Sequence, residues 1–341
     1  MKTRLSRGLA AIVLLSLVVF VSACGRQPNA AGGGSNAPVA GSNGSQPPAL
    51  TTVTMARLAP SALLWLHAIA VDQKFYEKHG VQVKDVQVQS SPALVQAVSS
   101  GSADAGVALG DNVMQAVDQG APVVITGALL HKPILRLIAT VNSIPELKGK
   151  KVTAGAVAGG TTDLMLYMFK KAGLDAKDVQ IVALTNSSDR LVAMQNKQLA
   201  GALLIAPFDV QALHQGDKLL DVYNDYWLET PLIVNKDWAA KNPKAAAGLT
   251  QALADAAAWI YKPENRQAAV TILAKYTKMP NDVADEAYKV IVLDLKAISP
   301  DLSVPADSLR NILVLQQAVH GGAMPAFDLN KYYDPSYLTA K

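Results

Sequence analysis

Ala158-Gly159-Gly160-Thr161-Thr162 combines features that a ligand-binding turn needs. The glycines let a ligand approach the backbone. A helical stripe follows (Met165, Met168, Phe169, Ala172), so free N–H groups and the positive end of a helix dipole converge on the turn. Thr161 and Thr162 add hydroxyl donors. The chemistry is recognition of an anionic or electron-rich group. Thr161 also suits a plain helix cap, and both roles can coexist. Asn186 and Ser187 open a later helical stretch in the same way and are further ligand candidates. In the first half, Ser61 and Trp65 open the first helix, where Ser61 can cap. Trp65 falls off that helix's apolar stripe of Leu64, Ala68, Val71 and Phe75, which suits stacking on a ligand or else partial burial. Arg57 ends the first extended stretch and suits a carboxylate or sulfonate partner, or a solvated or hinge ion pair. Asp111 stands at a strand end, as a helix cap or a ligand contact. Pro207-Phe208 offers an apolar wall, with core packing as the alternative.

The chemistry that is missing narrows the class. His67, His79, His131, His214 and His320 are scattered and match no metal-ligand spacing. No G-x-S-x-G elbow, Walker loop or complete G-x-G-x-x-G occurs. A nucleophile at Ser61 or Thr161 would need a base, and no histidine lies near either in sequence. The reading is therefore a binding protein without metal or cofactor, and an enzyme is not expected.

Cys24 is the only cysteine in the chain. Before it come a basic segment (Lys2, Arg4, Arg7) and an apolar run from Gly8 to Val21, too short to span a bilayer comfortably. Val21-Ser22-Ala23-Cys24 resembles a bacterial lipobox, which implies a signal peptide over 1–23, lipidation of Cys24 and anchorage without spanning. Residues 24–51 are rich in Gly, Ser, Asn, Ala and Pro and are expected to be a flexible linker. With no second cysteine, the mature chain forms no internal disulfide. The whole chain carries 31 Lys and Arg against 27 Asp and Glu, for a net charge of +4. Removing the three basic residues of the leader leaves 28 against 27, which gives no basis for nucleic-acid binding.

These candidates need elements to position them. Roughly 290 residues follow the linker, long for one core, so two lobes are expected. Strands are expected over 52–58, 83–89, 105–109, 123–128, 151–156, 179–184 and 203–206, alternating with helices. That order implies mostly parallel sheets flanked by helices. Leu94-Val95-Gln96-Ala97 before Ala105-Gly106 and Leu191-Val192-Ala193-Met194 before Ala200-Gly201 read as equivalent pieces of two similar α/β lobes. After Val234 the chain turns helical, with Pro243 at a first helical position and further helices from about 264, 282 and 306. The expected division is 52–134 with 231–341 as a discontinuous first lobe and 135–230 as the second, with segments near 130–136 and 228–235 as hinge. Ligands bind beyond the carboxyl ends of such strands, where closure of the hinge engulfs them.

Several segments then resemble one family. Ala70 to Val81, through Phe75-Tyr76 and Gly80-Val81, is similar to its first-helix signature. Gly101 with Asp104-Ala105, Leu147-Lys148-Gly149-Lys150-Lys151-Val152, and Ala172-Gly173-Leu174-Asp175 with Asp178-Val179 follow in the family's order. The chain thus resembles the nitrate/sulfonate/taurine-type periplasmic substrate-binding proteins of ABC importers, relatives of the thiamine-pyrimidine-binding proteins, over roughly 52–330. Gln73 replaces a usual glycine, and Lys197-Gln198-Leu199-Ala200-Gly201 departs from the pattern. The resemblance implies the type II periplasmic-binding-protein fold, a monomer, an extracytoplasmic location, and ABC permease subunits as partner. The expected ligand is a small, partly apolar or weakly anionic molecule of the sulfonate, pyrimidine or carboxylate class. An enzyme or ligand sensor on the same fold is the alternative.

Overall fold

The computed structural model describes residues 49–339. The expected signal peptide, the lipidation site Cys24 and all but the end of the expected linker lie outside these residues. At that end, Thr51 already pairs with Val81 in a strand.

The first half of the described chain alternates strands and helices. β1 (Thr51–Arg57) leads through a short 3₁₀ turn into α1 (Trp65–Asp72) and α2 (Phe75–Lys78). β2 (Val81–Gln87), α3 (Ser91–Ser99), β3 (Ala105–Val107), α4 (Gly110–Asp118) and β4 (Val123–Leu130) follow. The chain then makes β5 (Arg136–Ala139), β6 (Lys151–Gly155), α5 (Gly160–Lys171), β7 (Gln180–Ala183), α6 (Ser187–Gln195), β8 (Gly201–Leu204), α7 (Phe208–His214) and β9 (Lys218–Val222). After β10 (Thr230–Asn235) it is helical: α8 (Lys236–Lys241), α9 (Pro243–Ile260), α10 (Arg266–Thr277), α11 (Asn281–Tyr288), α12 (Ala306–His320) and α13 (Ser336–Thr339).

Two five-stranded sheets result, ordered β2-β1-β3-β10-β4 and β7-β6-β8-β5-β9. In each, four strands run one way and one runs against them, β10 in the first and β5 in the second. The geometry of crossing explains the exceptions. The chain leaves the first sheet at the carboxyl end of β4 and enters the second at that same side. A strand that begins where its neighbours end must run antiparallel to them. β10 re-enters the first sheet under the same constraint.

Side-chain alternation along the strands splits the packing of the second sheet. Leu137 and Leu203 join the large core that also contains Val53, Met55, Val81 and Ile125. Ile138, Ala202 and Leu204 face a smaller cluster with Leu191 and Met194. The first helix does not bury a single stripe. Residues Trp65 to Ala70 are all buried, because α9 and α10 pack on α1, whereas Val71, expected in the stripe, is 51% exposed. Gly80 stops that segment with φ +74°, the left-handed conformation that glycine tolerates. The helical tail packs largely on the first-sheet side, through α9 on α1 and α2. Two of its helices reach the other side: α12 lies on α5, and α11 touches α7. Among the described residues, no helix is long and apolar enough to cross a membrane.

Candidate functional site

Six loops converge between the sheets, each following the carboxyl end of a strand. Those after β1, β2 and β3 come from the first sheet and those after β6, β7 and β8 from the second, as expected for open α/β sheets. They enclose two adjoining cavities of about 80 Å³ and 280 Å³. Leu58, Leu109, Thr161, Thr185, Asn186 and Arg190 line both. The smaller adds Ser61, Leu63, Leu135, Ser187, Ile205, Phe208 and Glu229, so its wall is mostly apolar with a few hydroxyls. The larger adds Gln89, Ser90, Ser91, Asp111 and Asn112.

The two sides touch directly. The Ala62 N–H donates to the Ala206 carbonyl at 3.1 Å. The Gly160 N–H, at the first residue of α5, donates to Asp111 Oδ2 at 2.7 Å. Outside the cavity, His320 Nε2 lies 2.7 Å from Asp163 Oδ1, and Lys170 Nζ donates to the Ala318 carbonyl at 2.7 Å, fastening α12 to α5.

Of the residues expected at the ligand, Ser61, Asp111, Gly160, Thr161, Asn186 and Ser187 line this space. Ser61 does not cap; its hydroxyl makes no cap bond and faces the cavity. Thr161 does not cap either, since Gly159 holds that position and the helix has no side-chain cap. Asn186 is at the cap position of α6 but turns its amide to Asp189 Oδ2 at 3.1 Å.

Three expectations are corrected. Trp65 is 1% exposed and lies in the core, its indole N–H donating to the Ala269 carbonyl at 3.0 Å and its ring edge-on to Tyr288. The stripe argument failed because α1 is enclosed rather than one-faced. Arg57 lies outside the cavity linings and pairs with Asp85 Oδ2 at 2.9 Å, the ion-pair alternative. Thr162 turns away from the cavity and donates to the Ala156 carbonyl at 2.6 Å, closing its own loop. Asp111 also differs from a cap, lying inside the first turn of α4 after Leu109.

Arg190 and Glu229 were not anticipated. Arg190 is 6% exposed and donates to three carbonyls: Leu184 at 2.8 Å, Leu203 at 2.7 Å and Thr185 at 2.7 Å. It thereby clamps the ends of β7 and β8 to α6. Desolvation draws its pKa down to about 10, so it stays a cation at neutral pH. Glu229 is 1% exposed and accepts the Ile134 N–H at Oε2, at 2.5 Å. Burial pushes its pKa up to about 8, against the opposing pull of that hydrogen bond and of Arg190. At neutral pH Glu229 is mainly a neutral acid that can itself donate. Burial likewise raises the Asp111 pKa. Among the described residues, no cluster of three or more His, Cys, Asp or Glu is placed to hold a metal ion. No histidine lines either cavity, so neither Ser61 nor Thr161 has an imidazole base there.

Comparison with known proteins places this architecture. A candidate binding protein of Brucella abortus is 26% identical over 288 residues, 80% of this chain and 87% of that one. The alkanesulfonate-binding protein SsuA of Xanthomonas axonopodis pv. citri, solved bound to MOPS, matches with a TM-score of 0.65 at 16% identity, over 82% of this chain and 96% of that one. The desulfurization enzyme DSZB matches with a TM-score of 0.60 at 11% identity, over 84% of this chain and 97% of its own. The likeness to these two structures is one of fold, the two-lobed periplasmic-binding-protein fold. A family model described as NMT1/THI5 like matches residues 67–266, more than half the chain. The resemblance carried by the first-helix signature and the segments after it therefore has a family to rest on: this chain belongs to the NMT1/THI5-like family.

Proposed function

We propose that this chain is an extracytoplasmic solute-binding lipoprotein that captures a small molecule between two lobes and delivers it to the membrane subunits of an ABC importer. The lobes are residues 52–134 with 231–341 and residues 135–230, a division supported by the strand membership of the two sheets. The observation that carries the reading is the inner space walled by strand-end loops of both sheets and closed by direct bonds across it. Closure around a solute would bury it against apolar walls and a few hydroxyls, which is how small-molecule sites gain affinity and orientation. Lipid on Cys24 holds the monomer beside its permease. The structural neighbour named for alkanesulfonate binding supports the sulfonate member of the expected sulfonate, pyrimidine or carboxylate class. No catalysis belongs to this reading.

The test is a thermal-shift screen of sulfonates, small carboxylates and pyrimidines on the purified chain, with mass spectrometry of any co-purified solute. Saturable stabilisation without chemical change is expected, because a ligand that binds only the folded state raises the melting temperature by mass action. No stabilisation by any class, or turnover of a stabilising one, overturns the reading.

A further inference from the structure

A groove of about 620 Å³ lies at the amino ends of β6 and β8, the end of the second sheet opposite the ligand cavities. Lys150, Lys151 and Lys197 line it, together with Thr140 and Leu199. All three lysines are exposed. Among the described residues none of them pairs with a carboxylate, and no acid lines the groove. Neighbouring lysines differ: Lys148 pairs with Asp178 at 3.2 Å and Lys177 with Asp175 at 3.5 Å. The first sheet makes the same turn without that charge. Gly101 follows α3 and Lys197 follows α6, at φ +74° and +57°. Their N–H groups donate to the Val98 and Met194 carbonyls, each three residues back. Three residues on, the Asp104 N–H donates to the Thr54 carbonyl and the Ala200 N–H to the Lys151 carbonyl, both at 2.9 Å. The two turns are therefore equivalent. In the first, Asp104 Oδ2 also accepts the Thr54 N–H at 2.8 Å. In the second, alanine stands in place of that acid, and lysines stand in place of Thr54 and Gly101. The turn itself needs none of these changes, yet together they remove an acid and add two cations beside Lys150.

From this comparison we infer that the groove is a second binding site, for a phosphate group carried free in solution or as a lipid headgroup. Three ammonium groups lining one groove repel one another, and a bound anion relieves that repulsion. Lys150 and Lys151 come from the start of β6 and Lys197 from the turn before β8, so the cations reach the groove from two segments. A phosphate offers acceptor oxygens in several directions and can meet donors from both. A carboxylate offers two oxygens in one plane. Lysine suits the task because it binds phosphate as a point charge, without the fixed angles of a guanidinium. The site lies outside the cleft and does not depend on what the cleft binds.

The experiment labels the lysines of the full chain with an amine-acylating reagent and reads each site by mass spectrometry. One arm adds inorganic pyrophosphate, against sodium chloride at matched ionic strength. The other adds phosphatidylglycerol vesicles, against phosphatidylcholine vesicles. Lys236 and Lys275, exposed and remote from the groove, are the internal controls. Loss of labelling at Lys150, Lys151 and Lys197, but not at the controls, is expected in at least one arm. Protection by pyrophosphate alone identifies free phosphate as the source, and protection by phosphatidylglycerol alone identifies a headgroup. Lys197→Gly removes one cation and supplies the residue that a positive φ favours, so the fold is kept. It should raise the concentration of the protecting probe that half-protects Lys151 by roughly two- to fivefold, the worth of one exposed charge pair. The inference is overturned if neither probe protects the three lysines beyond its control, or if Lys197→Gly leaves the half-protecting concentration unchanged.

Discussion

The Ile134 N–H donates to Glu229 Oε2 at 2.5 Å, joining the two segments by which the chain passes between its sheets. The same segments are joined again where Trp227 donates to the His131 carbonyl at 3.0 Å and Glu229 to the Leu130 carbonyl at 3.1 Å. The crossing is therefore a short extension of the β4–β10 pairing rather than two loose strands. A carboxyl buried in it makes its stability sensitive to pH.

The Glu229 pKa in the folded chain, about 8, lies above the ordinary value of 4.5, so the folded state holds the proton more tightly than the unfolded state. The stabilising contribution is fully present below pH 4.5 and is lost as pH rises towards 8. Glu229→Gln keeps an acceptor for Ile134 and removes the titration. The parent should lose at least ~1 kcal/mol relative to this variant between about pH 5 and about pH 9. Urea denaturation of both proteins across that range checks it, and a constant difference would refute the assignment.

Arg190 donates to the carbonyls of Leu184, Thr185 and Leu203. Replacing it by methionine keeps length but leaves those carbonyls without their donors in a buried site. Arg190→Met should cost about 3 kcal/mol, seen as a lower denaturation midpoint at unchanged slope. It should also weaken the response to any solute that stabilises the parent, since Thr185 and Asn186 line both cavities from the loop it clamps.

Trp65 separates stability from binding. Trp65→Phe removes the bond to the Ala269 carbonyl and part of the packing on Tyr288. A loss of about 1–3 kcal/mol is expected, with solute affinity unchanged. A fall in affinity at unchanged stability would return Trp65 to the ligand site.

Much of the fold was legible because small and branched residues cluster in strands and glycines stop the helices that follow. β5 and β9 were not. Arg136 to Ala139 is four residues buried on both faces, so it shows no alternation, and Lys218 to Val222 is an edge strand without a clear one. The site divided along similar lines. Ser61, Thr161 and Asn186 were accessible because the strand-end rule points to them. Arg190 sits within a helix; two of the carbonyls it serves, Leu184 and Thr185, lie in the loop just before that helix, and the third, Leu203 of β8, meets it only when the strand packs beside α6. Glu229 gains its character from burial between two segments far apart in sequence. Trp65 was misplaced because periodicity reports one buried face, and α1 has neighbours on several.

The strand order also sets a timetable. The second sheet draws all its strands from residues 136–222, so every partner it needs is adjacent in the chain. The first sheet places β10 between β3 and β4, leaving both with an open edge until residues 230–235 have been made. During synthesis from the N-terminus, the segment that begins first is thus the one finished last. Its exposed β3 and β4 edges are where mispairing and aggregation would begin in a truncated or slowly folding chain.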